Sequence, residues 1–151
     1  METKDKDPCY VFDLDGTLCD VRHRRQWVAT WPKNWDAWNA GISDDVPNTP
    51  VLDVLRTLSV SFRIVLVSGR GSEYRQDTED WLKKYSVYYD ALYMRVAEDT
   101  RPDDEIKSEL ADQVEKDYRI VGVFDDRKRV VDMWVKRGIF VFDVAQGKGD
   151  F

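Results

Sequence analysis

Apolar positions in this chain follow two rhythms. Short apolar runs at residues 9–14, 62–67, 91–94, 120–124 and 139–144 predict five strands. Between them, apolar residues recur every three or four positions, as on the buried stripe of a helix. One such stripe is Val51, Val54, Leu55 and Leu58, with Thr49 as cap and Pro50 at the first helical position. A second helix is expected over 73–85 behind a Ser72 cap. A third, over 103–116, carries Ile106, Leu110, Ala111 and Val114. A fourth, over 127–137, buries Val130, Val131, Trp134 and Val135 and stops at Gly138. Trp27, Trp31, Trp35 and Trp38 are spaced four, four and three apart around Pro32, which predicts two short helices over 21–31 and 34–41. They belong to an insertion of about 19–48, whose aromatics could stack a nucleobase, although at helical spacing they are rather expected to pack the insertion onto its domain. Strand and helix otherwise alternate, predicting a single α/β domain over 1–151 with a mainly parallel five-stranded sheet and helices on both faces.

Composition narrows the function. The 151 residues are 42% hydrophobic, enough for one core, and 23 basic against 29 acidic side chains give a net charge of −6. That balance argues against extended non-specific binding along a nucleic-acid backbone. The longest aliphatic stretch, residues 64–67, is far below the roughly 20 residues of a membrane span, so no membrane partner is expected. Residues 1–8 are charged and carry no secretory signal, so the expected location is cytoplasmic. Cys9 and Cys19, in neither redox nor zinc spacing, are expected to be reduced packing residues.

Three apolar strands end in polar groups: Asp13 and Asp15, Ser68, and the pair Asp125 and Asp126. In a parallel α/β sheet such ends gather at one edge, where sites form. Asp13 and Asp15 would project to one face if the strand stays extended. With Asp125 and Asp126 they would crowd up to four carboxylates into one cleft, a costly arrangement without protons or a cation. Oxygen donors without histidine or cysteine favour magnesium, commonly shared with a phosphate. An EF-hand calcium loop is excluded, because it needs glycine at position six and glutamate at position twelve, where counting from Asp13 gives Leu18 and Arg24. Each piece alone has an ordinary reading: a strand-ending turn for Asp15-Gly16, a helix cap for Asp126, a solvated helix lysine for Lys107. Their order and combination carry the signal.

That combination, Asp13-Leu-Asp-Gly-Thr17, Ser68, Lys107 and Asp125-Asp126, resembles the haloacid dehalogenase-like phosphatase superfamily. The resemblance implies a Rossmann-like fold, with the 19–48 insertion as a small helical cap, and an aspartyl-phosphate mechanism. Asp13 would be the nucleophile and Asp15 the acid and base, its acidic surroundings favouring the protonated form before attack. Magnesium would be held by Asp13, the Asp15 carbonyl, Asp125 and Asp126. Thr17, Ser68, the Gly69 backbone and Lys107 would bind substrate, the last three at the phosphoryl oxygens.

Longer blocks are similar to the 3′-phosphatase domain of phage polynucleotide kinase-phosphatases. They are Val67-Ser-Gly-Arg70, Arg101-Pro-Asp-Asp-Glu-Ile-Lys107-Ser-Glu, Phe124-Asp-Asp-Arg-Lys-Arg-Val-Val-Asp-Met-Trp134 and Gly149-Asp-Phe151. On that resemblance Arg24 and Arg70 would contact substrate phosphate, and Asp103 would orient the lysine and arginine. His23, the single histidine, has no partner cluster in sequence and receives no role. No G-x-x-x-x-G-K-[ST] loop occurs, so ATP-dependent phosphorylation is not expected of this chain. The leading expectation is a magnesium-dependent phosphomonoesterase acting on 3′-phosphorylated DNA or RNA ends, with a separate kinase or ligase as partner. The alternatives are a phosphatase of free nucleotides or other small esters, and a non-catalytic nucleic-acid binding module.

Overall fold

A computed structural model describes residues 5–146. The Gly149-Asp-Phe151 block lies outside the described residues. The strands are β1 (Asp7–Phe12), β2 (Cys19–Asp20), β3 (Val46–Pro47), β4 (Arg63–Gly71), β5 (Ala91–Arg95), β6 (Tyr118–Asp125) and β7 (Val141–Asp143). Five of them form one sheet in the order β5-β4-β1-β6-β7, every pair parallel, as the alternating pattern predicts. The helices are α1 (Trp35–Ala40), α2 (Thr49–Leu58), α3 (Arg75–Lys84), α4 (Asp103–Asp117) and α5 (Lys128–Lys136).

Successive strand residues face opposite sides, so the sheet builds two cores. Phe12, Ile64, Leu66 and Phe124 pack with Leu52 and Leu55 of α2 and Trp81 and Leu82 of α3. Val11, Val65, Val67 and Val123 pack with Ile106, Leu110 and Val114 of α4 and Val130 and Trp134 of α5. The alternation continues past the strand ends. Asp13 and Asp125 follow Val11 and Val123 on the α4 side, where Lys107 meets them.

Local expectations needed correction at several points. The N-cap of α2 is Asn48 rather than Thr49, and its buried residues are Val51, Leu52 and Leu55, while Val54 is exposed. Ser72 does not cap α3. It begins a 3-10 turn, Ser72–Tyr74, and its hydroxyl accepts from the Ala97 N–H. Helix α5 buries Val130 and Trp134 but leaves Val135 in solvent, because only one stripe of a short helix can face the sheet. It ends, as expected, at Gly138, whose φ of +82° suits glycine. Both cysteines are free and buried, and burial pushes the Cys9 thiol up to about 12.

The segment between β2 and β3 departs most from its pattern. These two strands pair antiparallel, closing its ends. Its first expected helix is a 3-10 helix, Arg22–Trp27, with Arg24 as its one buried residue. Residues 28–34 form no helix, since Pro32 and the residue before it both resist the helical conformation. A short α1 and a 3-10 turn, Ile42–Asp44, complete the segment. No helix among the described residues is long and apolar enough to cross a membrane.

Candidate active site

The carboxyl edge of the sheet brings together Asp13 after β1, Asp125 at the end of β6, and Asp126. One carboxylate oxygen from each lies within 4.8 Å of the others, and all three residues are buried. Lys107 Nζ donates to Asp13 Oδ1 at 2.8 Å and to Asp125 Oδ2 at 3.0 Å. Three carboxylates against one ammonium leave a strong negative excess. Burial, then Asp125, push Asp13 well above the ordinary carboxylate range, against the pull of Lys107. The same two causes raise Asp126 to about 6. Burial works against the charge on Lys107, but Asp125 and Asp13 outweigh it and hold the amine protonated.

Asp126 shows what the cluster lacks. Its Oδ1 accepts from the Thr17 hydroxyl at 3.2 Å, whereas its Oδ2 is buried without a hydrogen-bond partner. Gly16 creates the space beside it. A Cβ at that position would come within 2.1 Å of Asp126 Oδ2, and the φ of +82° resists a side chain as well. An orphaned carboxylate oxygen, two further acidic donors and a residual negative charge fit a hard divalent cation with oxygen ligands.

Asp15 does not join this cluster. The chain leaves β1 after Phe12 and turns, so the extended conformation needed to align Asp13 with Asp15 is lost. Asp15 instead accepts from Arg70, with Nη2 to Oδ1 at 2.6 Å, and from Arg24 Nη2 at 2.8 Å. Burial alone would raise its carboxyl, but Arg70 and Arg24 outweigh it and hold Asp15 at about 2. The expected acidic surroundings are therefore basic, and Asp15 rests ionised.

The other side of these guanidinium groups is Asp45, a residue the sequence did not single out. Its fully buried carboxylate accepts from Arg24 Nε at 2.8 Å and lies 3.6 Å from Arg70 Nη2. His23 Nε2 sits 2.6 Å from Asp45 Oδ1, giving the histidine a structural partner. The Asp45 carbonyl also accepts from the Trp81 indole at 2.9 Å. Arg24 donates to the Trp38 carbonyl at 3.0 Å and stacks over the Trp38 ring, while Arg70 donates to the buried Thr78 hydroxyl at 3.0 Å. Two aspartates and two arginines thus form a square of balanced charge, hydrogen-bonded along three edges and closed by the 3.6 Å ion pair of Arg70 with Asp45. Asp45, 21 residues from Arg24, was hidden from pattern reading by its separation in sequence.

A cavity of about 500 Å³ opens over both groups, lined by Asp13, Asp15, Gly69, Arg70, Asp103 and Asp126, among others. Several residues expected to touch substrate stand behind that lining. Thr17 is buried and supports Asp126. Arg24 is 1% exposed and spent on Asp45, Asp15 and Trp38, so it does not reach the cavity. Ser68 is buried, its hydroxyl accepting from the Arg70 N–H at 3.1 Å. Asp103 pairs with Arg95 at 3.3 Å and Arg127 at 3.6 Å rather than with Arg70, and the hydrogen bonds of Lys107 go elsewhere. Arg95 also donates to the Gly69 carbonyl at 2.8 Å, so an unforeseen arginine, paired with Asp103, ties the carboxyl end of β4 to α4.

A parallel α/β sheet with an acidic cluster at its carboxyl edge and a segment inserted after the first strand defines a haloacid dehalogenase-like domain. A haloacid dehalogenase-like hydrolase of Streptococcus pneumoniae superimposes over 94% of this chain and 86% of its own with a TM-score of 0.67 at 17% identity, which shows the fold. Residues 7–151 match the phosphatase domain of polynucleotide kinase PNKP, and the chain belongs to that family of phosphatases. It is 38% identical to a protein of Autographa californica nuclear polyhedrosis virus named as a bifunctional polynucleotide kinase/RNA ligase, over 97% of this chain and 21% of the viral protein. It also superimposes on a chain of the Pnkp1/Rnl/Hen1 RNA repair complex with a TM-score of 0.78 and 33% identity, over 95% of this chain and 45% of that one. The chain therefore spans about a fifth of the viral relative and less than half of the chain in the complex.

Proposed function

We propose that this chain is a magnesium-dependent phosphomonoesterase that removes 3′-phosphates from nucleic-acid ends through an aspartyl-phosphate on Asp13. The observation that carries this reading is the cluster of Asp13, Asp125, Lys107 and the partnerless Asp126 oxygen, two of whose members, Asp13 and Asp126, line the cavity, in a member of the PNKP phosphatase family.

Asp13, Asp125, Asp126 and the Asp15 carbonyl would hold the magnesium. When bound it supplies charge neutralisation for the carboxylates and the phosphoryl oxygens. A carboxylate oxygen of Asp13 attacks phosphorus, the ester oxygen departs, and Asp15 gives that oxygen a proton. Water then attacks the phosphoryl group and passes a proton back to Asp15, freeing Asp13 and inorganic phosphate. Lys107 stabilises the charge on Asp13. Its two hydrogen bonds to carboxylates leave one N–H for a phosphoryl oxygen.

Asp15 must be relieved of cationic contact before it can carry a proton. Arg70 lines the cavity, so an incoming phosphate competes for its guanidinium, whereas Arg24 stays anchored by Asp45. Substrate binding thereby raises the proton affinity of Asp15 as the phosphate arrives. The segment over 19–48 serves as the cap, and its Asp45 links cap and acid through Arg24.

A cleared 3′-hydroxyl is the group a nucleic-acid ligase joins, so a kinase and a ligase are the partners this activity suits. The test is magnesium-dependent phosphate release from matched 3′- and 5′-phosphorylated oligonucleotides and from free mononucleotides. Release confined to 3′-phosphorylated strands supports end repair. Preference for mononucleotides would move the protein to nucleotide metabolism.

A further inference from the structure

The four tryptophans of the inserted segment separate into different environments. Trp38 is buried, meets the edge of Trp35 with centroids 6.3 Å apart, and stacks under Arg24, so it packs as the sequence suggests. Trp27 is 42% exposed and lies outside the cavity lining. Trp31 and Trp35, 84% and 45% exposed, line the same cavity as Asp13 and Asp126. The Lys33 ammonium stands between them, 5.3 Å from the Trp31 ring centre and 5.5 Å from that of Trp35. Packing does not account for Trp31, which leaves most of a large apolar surface in water.

We propose that Trp31, Lys33 and Trp35 form a stacking platform for the nucleobase of the nucleotide whose phosphate is removed, making them specificity-determining residues. The proposal rests on the phosphomonoesterase reading and names which part of the ester the enzyme recognises. One continuous cavity joins the carboxylate floor, the cations Arg70, Arg95 and Arg127, and flat aromatic surface at the rim. Such a cavity suits an occupant with a phosphate at one end and a planar ring at the other. Its volume of about 500 Å³ lies in the range of small-ligand sites, so it takes a terminal nucleotide rather than a duplex. Indoles stack every base through its π-face, so the platform selects for the presence of a base and not for its identity. An overall charge of −6 is then compatible with a nucleic-acid substrate, because recognition is concentrated at one terminus.

The experiment compares a 3′-phosphorylated thymidine trinucleotide with the same strand carrying an abasic tetrahydrofuran at its terminal position. The parent should prefer the base-bearing strand. Trp31→Ala and Trp35→Ala should each shrink that preference by about tenfold, mainly through KM. Trp31→Phe should restore most of it, and Trp27→Ala should leave it in place. In an Asp13→Asn background, the base-bearing strand should quench tryptophan fluorescence at lower concentration than the abasic strand, and Trp31→Ala should remove that difference. Equal hydrolysis of both strands by the parent, or a preference that survives both alanine substitutions, would overturn the platform while leaving the phosphatase intact. If the parent hydrolyses no 3′-phosphate, the proposed function fails, and the fluorescence titration still decides whether the indoles bind a base.

Discussion

Two buried groups of charges lie side by side at the edge of this sheet, and they differ in how far they are satisfied. In the square of Asp15, Asp45, Arg24 and Arg70, charge is balanced and the carboxylates are bonded to guanidinium groups. In the cluster of Asp13, Asp125, Asp126 and Lys107, negative charge is in excess and one buried oxygen has no partner. Folding stability cannot explain the second group, because an uncompensated buried carboxylate destabilises the fold. The square reads as a scaffold that positions, and the cluster as a site that becomes complete only with ligands.

Breaking each group should therefore fail in a different way. The largest effect belongs to Asp13→Asn, which removes the nucleophile and should lower phosphate release by about 10⁴-fold or more while the thermal transition is kept. Next comes Asp45→Asn, which strips two buried arginines of a counter-charge. It should destabilise the fold by about 3–5 kcal/mol, or roughly 10 °C by calorimetry. A loss of activity from Asp45→Asn without a loss of stability would contradict the scaffold reading.

Metal sharpens the contrast. Magnesium at about 100 times its dissociation constant should add about 2.7 kcal/mol of stability. Asp126→Asn should cut this gain by more than half, whereas Thr78→Val, on the far side of the square, should leave it intact.

The smallest effects concern pH, and the two groups should respond with opposite sign. Asp126 is raised in the folded protein from 3.8 to about 6, so its contribution is present below 3.8 and lost as pH rises through 6. Asp15 is lowered from 3.8 to about 2, so its contribution is present above 3.8 and lost as pH falls through 2. Urea midpoints in chelator should decline from pH 4 to pH 6, and Asp126→Asn should flatten that decline. A midpoint rising steadily across the window would show that the cluster is not frustrated.

The comparison also marks what a sequence discloses. The cluster was legible because each aspartate ends an apolar strand, and parallel sheets gather such ends at one edge. The parallel five-stranded sheet and both helix layers followed from the same alternation, whereas the strand order β5-β4-β1-β6-β7 came only from the structure. The square was not legible. Arg24 and Asp45 are 21 residues apart on irregular backbone, and Asp15 and Arg70 are 55 apart, so no local period links them. Asp15 was misjudged for that reason: its sequence neighbours are acidic, but its spatial neighbours are arginines. Tryptophan spacing likewise suggested two short helices broken at Pro32, whereas the non-helical stretch over residues 28–34 takes Trp31 out of the first and sends Trp31 and Trp38 to different surroundings.

The central claim is that the unsatisfied cluster performs the chemistry and that Asp13 carries the phosphoryl group. It is tested most directly by acid-quenching the enzyme within its first turnover on a 3′-phosphorylated oligonucleotide in magnesium and locating the transferred phosphoryl group by mass spectrometry. The account predicts a phosphorylated peptide containing Asp13, present in magnesium and absent in chelator. Turnover without any phosphorylated peptide, or phosphorylation of a different residue, would contradict it.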